Sequence, residues 1–326
     1  VRFCLQTSRP TDHRHRFTAP NRFVTLKNMA GPFSVHPRLN LSPSSTTITS
    51  RDNRWLKRFR SALSGEHGED GLVGVEGARL VQTAVGSLLY VEAMLVSNSG
   101  ERHLKRVAPL LPAGVQILRT SDRLFAGIAD TQAPQGIAAL VRPTQTTIEA
   151  LVRGTALVVV LVGVQDPGNV GTILRAAEAF GATGSAACPA GSLGTADPFG
   201  PKALRASAGS ALRIPLVLGL AAGDLLAKFR AVGVKTYAAV AASGDDEGGH
   251  KNSPVLRPWE IAWKSSAALL IGNEGVGLPA DIVQSADARV WIPQVAVAPP
   301  VGVESLNAAM AATVLLYEAM RQRNLR

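Results

Sequence analysis

"VQDPGNVGTILRAAEAFGA", residues 164–182, follows seven consecutive apolar residues, Ala156 to Val162. An apolar run of that length, broken by Asp, Pro and Gly and followed by helical spacing, predicts a buried strand that turns sharply into a helix. Asn169 stands where the helix would begin, and its side chain is a candidate cap for the first-turn N–H groups. Gly171 permits close approach of another group to the backbone. Ile173, Ala177 and Phe180 share one helical face, and Gly181 ends the helix. Arg175, four residues after Gly171, lies on the same side of the first turns. A guanidinium beside a helix start is suited to gripping phosphate. An Arg175–Glu178 surface pair at i,i+3 explains the residue equally well from spacing alone.

Working outward, apolar segments recur at "GSAACP" (184–189), "RIPLVL" (213–218), "KTYAAVAA" (235–242), "SAALLIG" (266–272) and "ARVWIP" (288–293), with helices between them. Apolar strands without alternation, joined through helices, predict a mostly parallel sheet covered on both faces, over 153–326. The polar, glycine-rich "SGDDEGGHKNSP" (243–254) reads as a surface loop. Upstream, "RWLKRFRSAL" (54–63) spaces Trp55, Leu56, Phe59 and Leu63 at helical intervals, with its basic residues on the other side. The strand "GLVGVEG" (71–77), the helix "ARLVQTAVGS" (78–87) and the strand "QGIAALVRP" (135–143) then suggest a small α/β sandwich over 51–145. "TQTTIEALVRGT" (144–155) connects the two units.

With 46% hydrophobic residues in a chain of 326, there is material for two cores of this kind. No apolar run reaches the roughly 18 residues of a membrane span, so no membrane partner is expected. Cys4 and Cys188 are the only cysteines, which excludes a disulfide framework and a CxxC metal site and points to a reducing compartment, with the cytoplasm as the default location. The formal charge of +10 is uneven: residues 1–60 hold twelve Lys or Arg against two Asp, and the remainder cancels. Residues 1–50 therefore read as a basic, disordered leader and linker, with "LSPSSTTITS" (41–50) lacking any periodicity. Three readings stay open for the leader: an RNA-attracting arm, an organelle-targeting segment, or residues preceding a true start at Met29.

Two further stretches carry chemistry. In "AALLIGNEGVGLPADI" (267–282) a buried strand enters a glycine-rich turn that can present bare backbone groups to a ligand, with Glu274 in its middle. In "WIPQVAVAPPVGVESLNAAM" (291–310) a strand ends at Ile292–Pro293 and a helix is expected near Ser305, a good N-cap residue. Asn307, in the first turn of that helix, is not explained by propensity. Leu306, Met310, Thr313, Tyr317 and Met320 follow a 4-3-4-3 spacing that suits a core or a dimer seam.

Together the three stretches resemble the SpoU (TrmH-like) family of the SPOUT class, S-adenosylmethionine-dependent RNA ribose methyltransferases. The first motif, N-x-G-x-x-x-R-x-A-x-x-F-G, is met by Asn169, Gly171, Arg175, Ala177, Phe180 and Gly181. The second, G-N-E-G-x-G-L, is Gly272 to Leu278, and the third, I-P followed by S-L-N, is Ile292–Pro293 and Ser305 to Asn307. "KALRASAGSALRIPL" (202–216) is similar to a further family stretch, and "VGVEGARLVQTAV" (73–85) is similar to the opening of the RNA-substrate-binding domain that precedes many SpoU catalytic domains.

The resemblance implies a parallel sheet whose C-terminal chain is threaded into a deep trefoil knot, a homodimer, and a methyl donor held mainly by backbone. Carried over, the donor positions are Gly272, Ile292 and Leu306, with Asn273 and Gly277 from the same turn. Arg175 resembles the family's catalytic arginine, which binds a substrate phosphate beside the ribose 2′-OH. Asn169, Glu274, Ser305 and Asn307 would orient the donor loops and the target nucleotide. No metal is implied, and none of the six His falls in a motif. Ribosomal RNA is the expected substrate, with tRNA the alternative, and a non-catalytic RNA-binding assembly protein is the rival from another class. The loop "QVAVAPPVGVE" (294–304) is longer than the family usually has. A dinucleotide dehydrogenase and a P-loop NTPase are disfavoured, because no strand leads into G-x-G-x-x-G and G-x-x-x-x-G-K-[ST] is absent.

Overall fold

The computed structural model describes residues 45–68, 70–144, 146–241, 254–295 and 305–324, all within one compact unit spanning 40–326. The leader, nearly all of the acidic insert and most of the long loop 294–304 lie outside the described residues.

The first sheet contains β1 (Ser45–Thr47), β2 (Val73–Glu76), β3 (Tyr90–Ser97), β4 (Gln116–Thr120) and β5 (Ile137–Arg142), in the spatial order β1-β4-β3-β5-β2. The strands β1, β4 and β3 run parallel, while β5 is antiparallel to both β3 and β2. Helix α1 (Arg54–Leu63) buries Leu56, Phe59 and Leu63 on one side of this sheet. Its cap is Asn53, whose side chain accepts from the Trp55 amide. Helix α2 (Ala78–Gly86) buries Leu80, Val81, Ala84 and Val85. Shorter helices α3 (Glu101–Val107) and α4 (Asp122–Ala126) complete the unit.

The reading of residues 41–50 as disordered linker is corrected from Ser45 onward. Ser45 to Thr47 pair in register with Ile117 to Arg119, and Ile48 is buried against Leu56 and Phe59. The β-branched run Thr46 to Thr49 favours extended backbone, and one apolar residue anchors it. A three-residue edge strand shows too little alternation to be recognised by period.

After α5 (Ile148–Leu151), the second sheet contains β6 (Leu157–Val162), β7 (Gly184–Cys188), β8 (Leu216–Leu218), β9 (Lys235–Ala239), β10 (Val255–Leu256), β11 (Ala267–Ile271) and β12 (Ala288–Val290). Their order is β10-β12-β9-β11-β6-β7-β8, and every pairing is parallel. All six residues of β6 are buried, as the continuous apolar run requires of a central parallel strand. Helices α6 (Pro167–Ala179), α7 (Pro201–Ala206), α8 (Ala222–Ala231), α9 (Ala280–Ser285) and α10 (Ala308–Asn324) cover the two faces. Apolar residues of both sheets belong to one continuous core, in which Val75 and Leu80 join Val164, Leu204 and Leu212.

Helix α10 fixes the end of the chain. Its Arg323 donates to the carbonyls of Thr155, Ala156, Trp263 and Ser265, at 2.7 to 3.0 Å, just before β6 and β11. Its first turn lies against the start of α6, so α10 runs antiparallel to β6 along the sheet. Cys188 is buried and its thiol is pushed up to about 12 by desolvation, which makes it an inert core residue. Among the described residues no helix is long and apolar enough to cross a membrane, and no His, Cys, Asp and Glu cluster could hold a metal ion.

Candidate active site

Because every strand of the second sheet is parallel, the loops after β6, β11 and β12 emerge at one edge, the carboxyl edge where α/β sheets place their ligands. The first of these loops runs into α6. Asp166 caps that helix, accepting from the Asn169 amide at 3.2 Å, and Pro167 occupies the first helical position. Lys202 of α7 holds the capping carboxylate at 2.5 Å and is the first cause of its lowered pKa. The expectation that Asn169 caps the helix is therefore corrected: the cap lies three residues earlier, which frees the Asn169 side chain for other partners.

Those partners come from the other two motifs. Asn169 Nδ2 donates to Glu274 Oε1 at 2.9 Å, and Asn307 Nδ2 donates to Asn169 Oδ1 at 3.1 Å. The carboxylate of Glu274 also accepts the amides of Gln165 and Asp166, both at 3.1 Å. Desolvation would raise the Glu274 carboxyl, but the Asn169 side chain and the two amides outweigh it and hold its pKa below the ordinary value. An ionised carboxylate accepts only, so Asn169 must turn its NH₂ toward Glu274 and its oxygen toward Asn307. The three loops thus meet in one polar clasp.

Asn307 has a second role. Its Oδ1 accepts the amides of Ala309 at 2.9 Å and Met310 at 3.3 Å, so it is the N-cap of α10. The expectation that the helix starts near Ser305 is corrected by three residues, since α10 begins at Ala308 and Ser305 lies exposed just before the cap. An Ser-x-Asn sequence offers two good caps, and the bond to Asn169 favours the second.

The turn after β11 is closed on itself. A Cβ on Gly272 would lie 2.4 Å from the Gly277 carbonyl carbon and the Leu278 nitrogen, so only glycine allows the turn to fold back there. Asn273 and Gly277 exchange backbone bonds at 3.0 Å, and Gly277 takes a left-handed φ of 73°. Asn273 Oδ1 accepts from the amides of Gly275 and Val276, while its Nδ2 donates to the Gly163 carbonyl at 2.9 Å. Asn273 therefore ties the turn to the end of β6. Ile292, two residues beyond β12, and Leu306 are half-buried.

Arg175 is placed differently. It is exposed and has no hydrogen-bond or ion-pair partner among the described residues. The surface pair with Glu178 is not formed, because Glu178 takes a bidentate interaction from Arg213 at 2.5 and 2.6 Å. Six residues separate Arg175 from Asn169, about 600° of helical turn, so the two project from different sides of α6. Arg175 instead lines a cleft with Arg79, Thr131, Gln135 and Arg205. Within one chain the structure brings Asn169, Glu274 and Asn307 together and leaves Arg175 apart from them. Gly171 shares the Arg175 side and packs on α7, where a Cβ would lie 2.4 Å from the Ala203 carbonyl oxygen.

Three contributors were not anticipated. Lys202 lies in a stretch noted for its family likeness, yet nothing in its spacing indicates Asp166. Thr195 accepts the Gly163 amide at 2.9 Å and donates to the Cys188 carbonyl at 2.6 Å, bracing the same loop. Arg323, at the far end of α10, holds the helix that carries Asn307.

The depressed Glu274 pKa has a signed consequence. A carboxyl whose pKa is lower when folded contributes stability above its unfolded value and loses it as pH falls through the folded value. The stability difference between wild type and Glu274→Gln is expected to stay flat through neutral and mildly acid pH and to close as pH falls below the ordinary glutamate range and through the lowered folded value. Urea unfolding across that range checks it, and a gap widening with acid would contradict the clasp.

Comparison with known proteins places this arrangement. The SpoU rRNA Methylase family model matches residues 156–317, and the MRM3-like substrate binding domain matches residues 66–139. The chain is 34% identical over 244 residues to the 23S rRNA (guanosine(2553)-2'-O)-methyltransferase RlmP of Bacillus subtilis, covering 74% of this chain and 86% of that protein. It is 32% identical over 292 residues to the 23S rRNA (uridine(2479)-2'-O)-methyltransferase of Streptomyces viridochromogenes, covering 86% and 94% respectively. Among solved structures it superposes on the AdoMet-bound rRNA methyltransferase of Sinorhizobium meliloti with a TM-score of 0.71 at 28% identity, covering 86% of this chain and 99% of that one. With matches of this identity and coverage, running through both sheets and all three motif loops, the chain belongs to the SpoU rRNA methylase family.

Proposed function

We propose that this protein transfers a methyl group from S-adenosylmethionine to a ribose 2′-OH of ribosomal RNA. The observation that carries the reading is the clasp of Glu274, Asn169 and Asn307, which gathers the three motif loops at the carboxyl edge of the sheet. Membership of the family and the likeness to AdoMet-bound relatives support the choice of donor. The residues fit such a donor: Gly272 lets the 272–278 turn fold back on itself, Asn273 braces it, and the glycines at 275 and 277 leave main chain uncovered. Bound there, S-adenosylmethionine supplies a methyl group on a sulfonium centre.

The chain's own residues then have positioning and electrostatic work. Gly272, Asn273, Gly277, Ile292 and Leu306 shape the donor site, and Asn169, Glu274 and Asn307 hold its loops in register. Ser305, exposed beside the Asn307 cap, faces the nucleotide. Arg175 binds a phosphate of the RNA strand and stabilises the charge that develops as the hydroxyl loses its proton. A guanidinium offers donors and no acceptor, so the proton passes to the phosphate that Arg175 holds or to a group linked to it, as the oxygen–methyl bond forms and the sulfonium–methyl bond breaks. A ribose hydroxyl is a weak acid, and most of the acceleration comes from alignment with the methyl group. Isothermal titration with S-adenosylmethionine tests the donor site: saturable 1:1 binding per chain is expected, and absence of binding would remove this reading.

The active form is a homodimer, with the C-terminal chain threaded as a trefoil knot. Supporting the first point, Met310, Val314 and Tyr317 leave an apolar face of α10 exposed, by 63%, 42% and 51%, while Ala312, Leu315 and Leu316 are buried on the other side. A dimer also offers Arg175 a route to a second chain's clasp. Replacing Met310 and Tyr317 by Glu is expected to shift the light-scattering mass from two chains to one without unfolding the protein. A monomeric wild type would contradict the proposal.

A further inference from the structure

The substrate-binding unit and the catalytic unit meet along a cleft of about 400 Å³, which is within the roughly 300–1,000 Å³ typical of ligand pockets. From the first unit come Glu76, Arg79, Thr131 and Gln135; from the second come Arg175 and Arg205. The acidic groups near it are already engaged. Glu76 accepts the Asp130 amide at 2.8 Å and the Thr131 hydroxyl. Asp130 pairs with Arg205. Gln135 accepts the Ala78 amide through Oε1 at 2.7 Å, which leaves its NH₂ as a donor. Arg79, in contrast, is exposed and has no partner among the described residues, as is true of Arg175.

Two guanidiniums without partners among the described residues, lining one small cleft from different units, with Asp130 already paired to Arg205 and Glu76 held by hydrogen bonds within its own unit, form an anion site of the kind that grips phosphate bidentately. Unpaired arginines on a solvated face would carry no such meaning. These two come from different units and converge on the space beside the arginine that the first motif supplies.

Resting on the function proposed above, we propose that Arg79 is a positioning residue for the RNA. Together with Arg175 it holds one backbone phosphate of the substrate strand, so that the first unit delivers the strand to the catalytic unit at a fixed distance from the target ribose. The ligand is a phosphodiester of the RNA backbone rather than a base, because the walls offer charge and donors but no aromatic ring for stacking.

The test uses the full chain and an unmodified in-vitro transcript of 23S rRNA. Binding is measured for wild type, Arg79→Ala and Arg79→Lys across a salt series, alongside steady-state methylation and donor affinity. Arg79→Ala together with Arg175→Ala is expected to reduce the slope of log Kd against log salt by about 0.7 to 0.9, the one phosphate contact the two share, and Arg79→Ala alone by a smaller amount. KM for RNA should rise about tenfold while donor affinity stays unchanged, with the slope restored by Arg79→Lys. In the double variant with Arg175→Ala, the loss of RNA affinity should be smaller than the product of the single losses, since both grip one phosphate. A wild-type slope in Arg79→Ala, or a KM change without a slope change, would overturn the proposal. If wild type binds RNA but transfers no methyl group, the function above fails, while the salt slope still decides the cleft.

Discussion

Arg175→Ala is expected to lower kcat by about 10²- to 10³-fold, the loss seen when one preorganised donor to developing charge is removed. Affinity for S-adenosylmethionine should stay within about twofold of wild type, because no contact links Arg175 to the 272–278 turn or to Asn169. The side chain is exposed and has no partner among the described residues, so its removal leaves no buried group unsatisfied there, and stability should change by less than about 0.5 kcal/mol. Arg175→Lys keeps a charge but not the bidentate fork and should recover only part of the rate. Single-turnover methyl transfer, donor titration and thermal unfolding on the same preparation separate these effects. Loss of donor binding or of folded protein would reassign Arg175 from the reaction to the architecture.

The second large effect concerns stability. Arg323 brings α10 down on the sheet through donor contacts to four carbonyls at the starts of β6 and β11. Ala156 O also accepts the Ala267 amide, so it keeps one partner when the guanidinium is lost. The other three carbonyls have no such second bond among those described. Arg323→Ala is therefore expected to cost about 2–4 kcal/mol, allowing for partial solvation of the site. That corresponds to a Tm fall of roughly 4–8 °C in a chain of this size. Arg323→Lys can reach one or two of the carbonyls and should fall between. Because α10 also presents Asn307 to Asn169, donor affinity should weaken in parallel with stability. An unchanged Tm would mean that apolar packing of Ala312, Leu315 and Leu316 alone holds the helix.

The parts of the fold that were legible in the sequence are those where one residue pattern has one physical solution. Seven apolar residues ending in a glycine turn can only be a buried strand, and β6 is one. The apolar positions of α1 at Leu56, Phe59 and Leu63 fall on one side at the helical period, and all are buried. Strand β1 was missed because its stability comes from pairing with β4, seventy residues away, and local pattern does not record a remote edge. The caps were misplaced for a related reason. Asp166, Asn169, Ser305 and Asn307 are all good cap residues, and the choice among them is made by remote partners: Lys202 of α7 on Asp166, Glu274 on Asn169, and Asn169 on Asn307.

The candidate site shows the same division. Motif spacing names candidate residues, of which the structure brings Asn169, Glu274 and Asn307 together, but it does not record their partnerships. Spacing places Asn169 and Arg175 together on one helix start, whereas 3.6 residues per turn sends them to different sides, one into the clasp and the other toward the inter-unit cleft. The convergence of Arg79 on that cleft depends on how the first sheet packs against α6 and α7, which no segment specifies alone.

The central claim is that the clasped loops and Arg175 serve methyl transfer to a ribose hydroxyl. The most direct measurement incubates the protein and methyl-labelled S-adenosylmethionine with an unmodified 23S rRNA transcript, then maps 2′-O-methyl nucleotides by mass spectrometry of nuclease fragments. The account predicts label on the 2′ oxygen of one nucleotide, forming about 10²- to 10³-fold more slowly when Arg175→Ala replaces the wild type. Label on a base, or none with donor demonstrably bound, would contradict it.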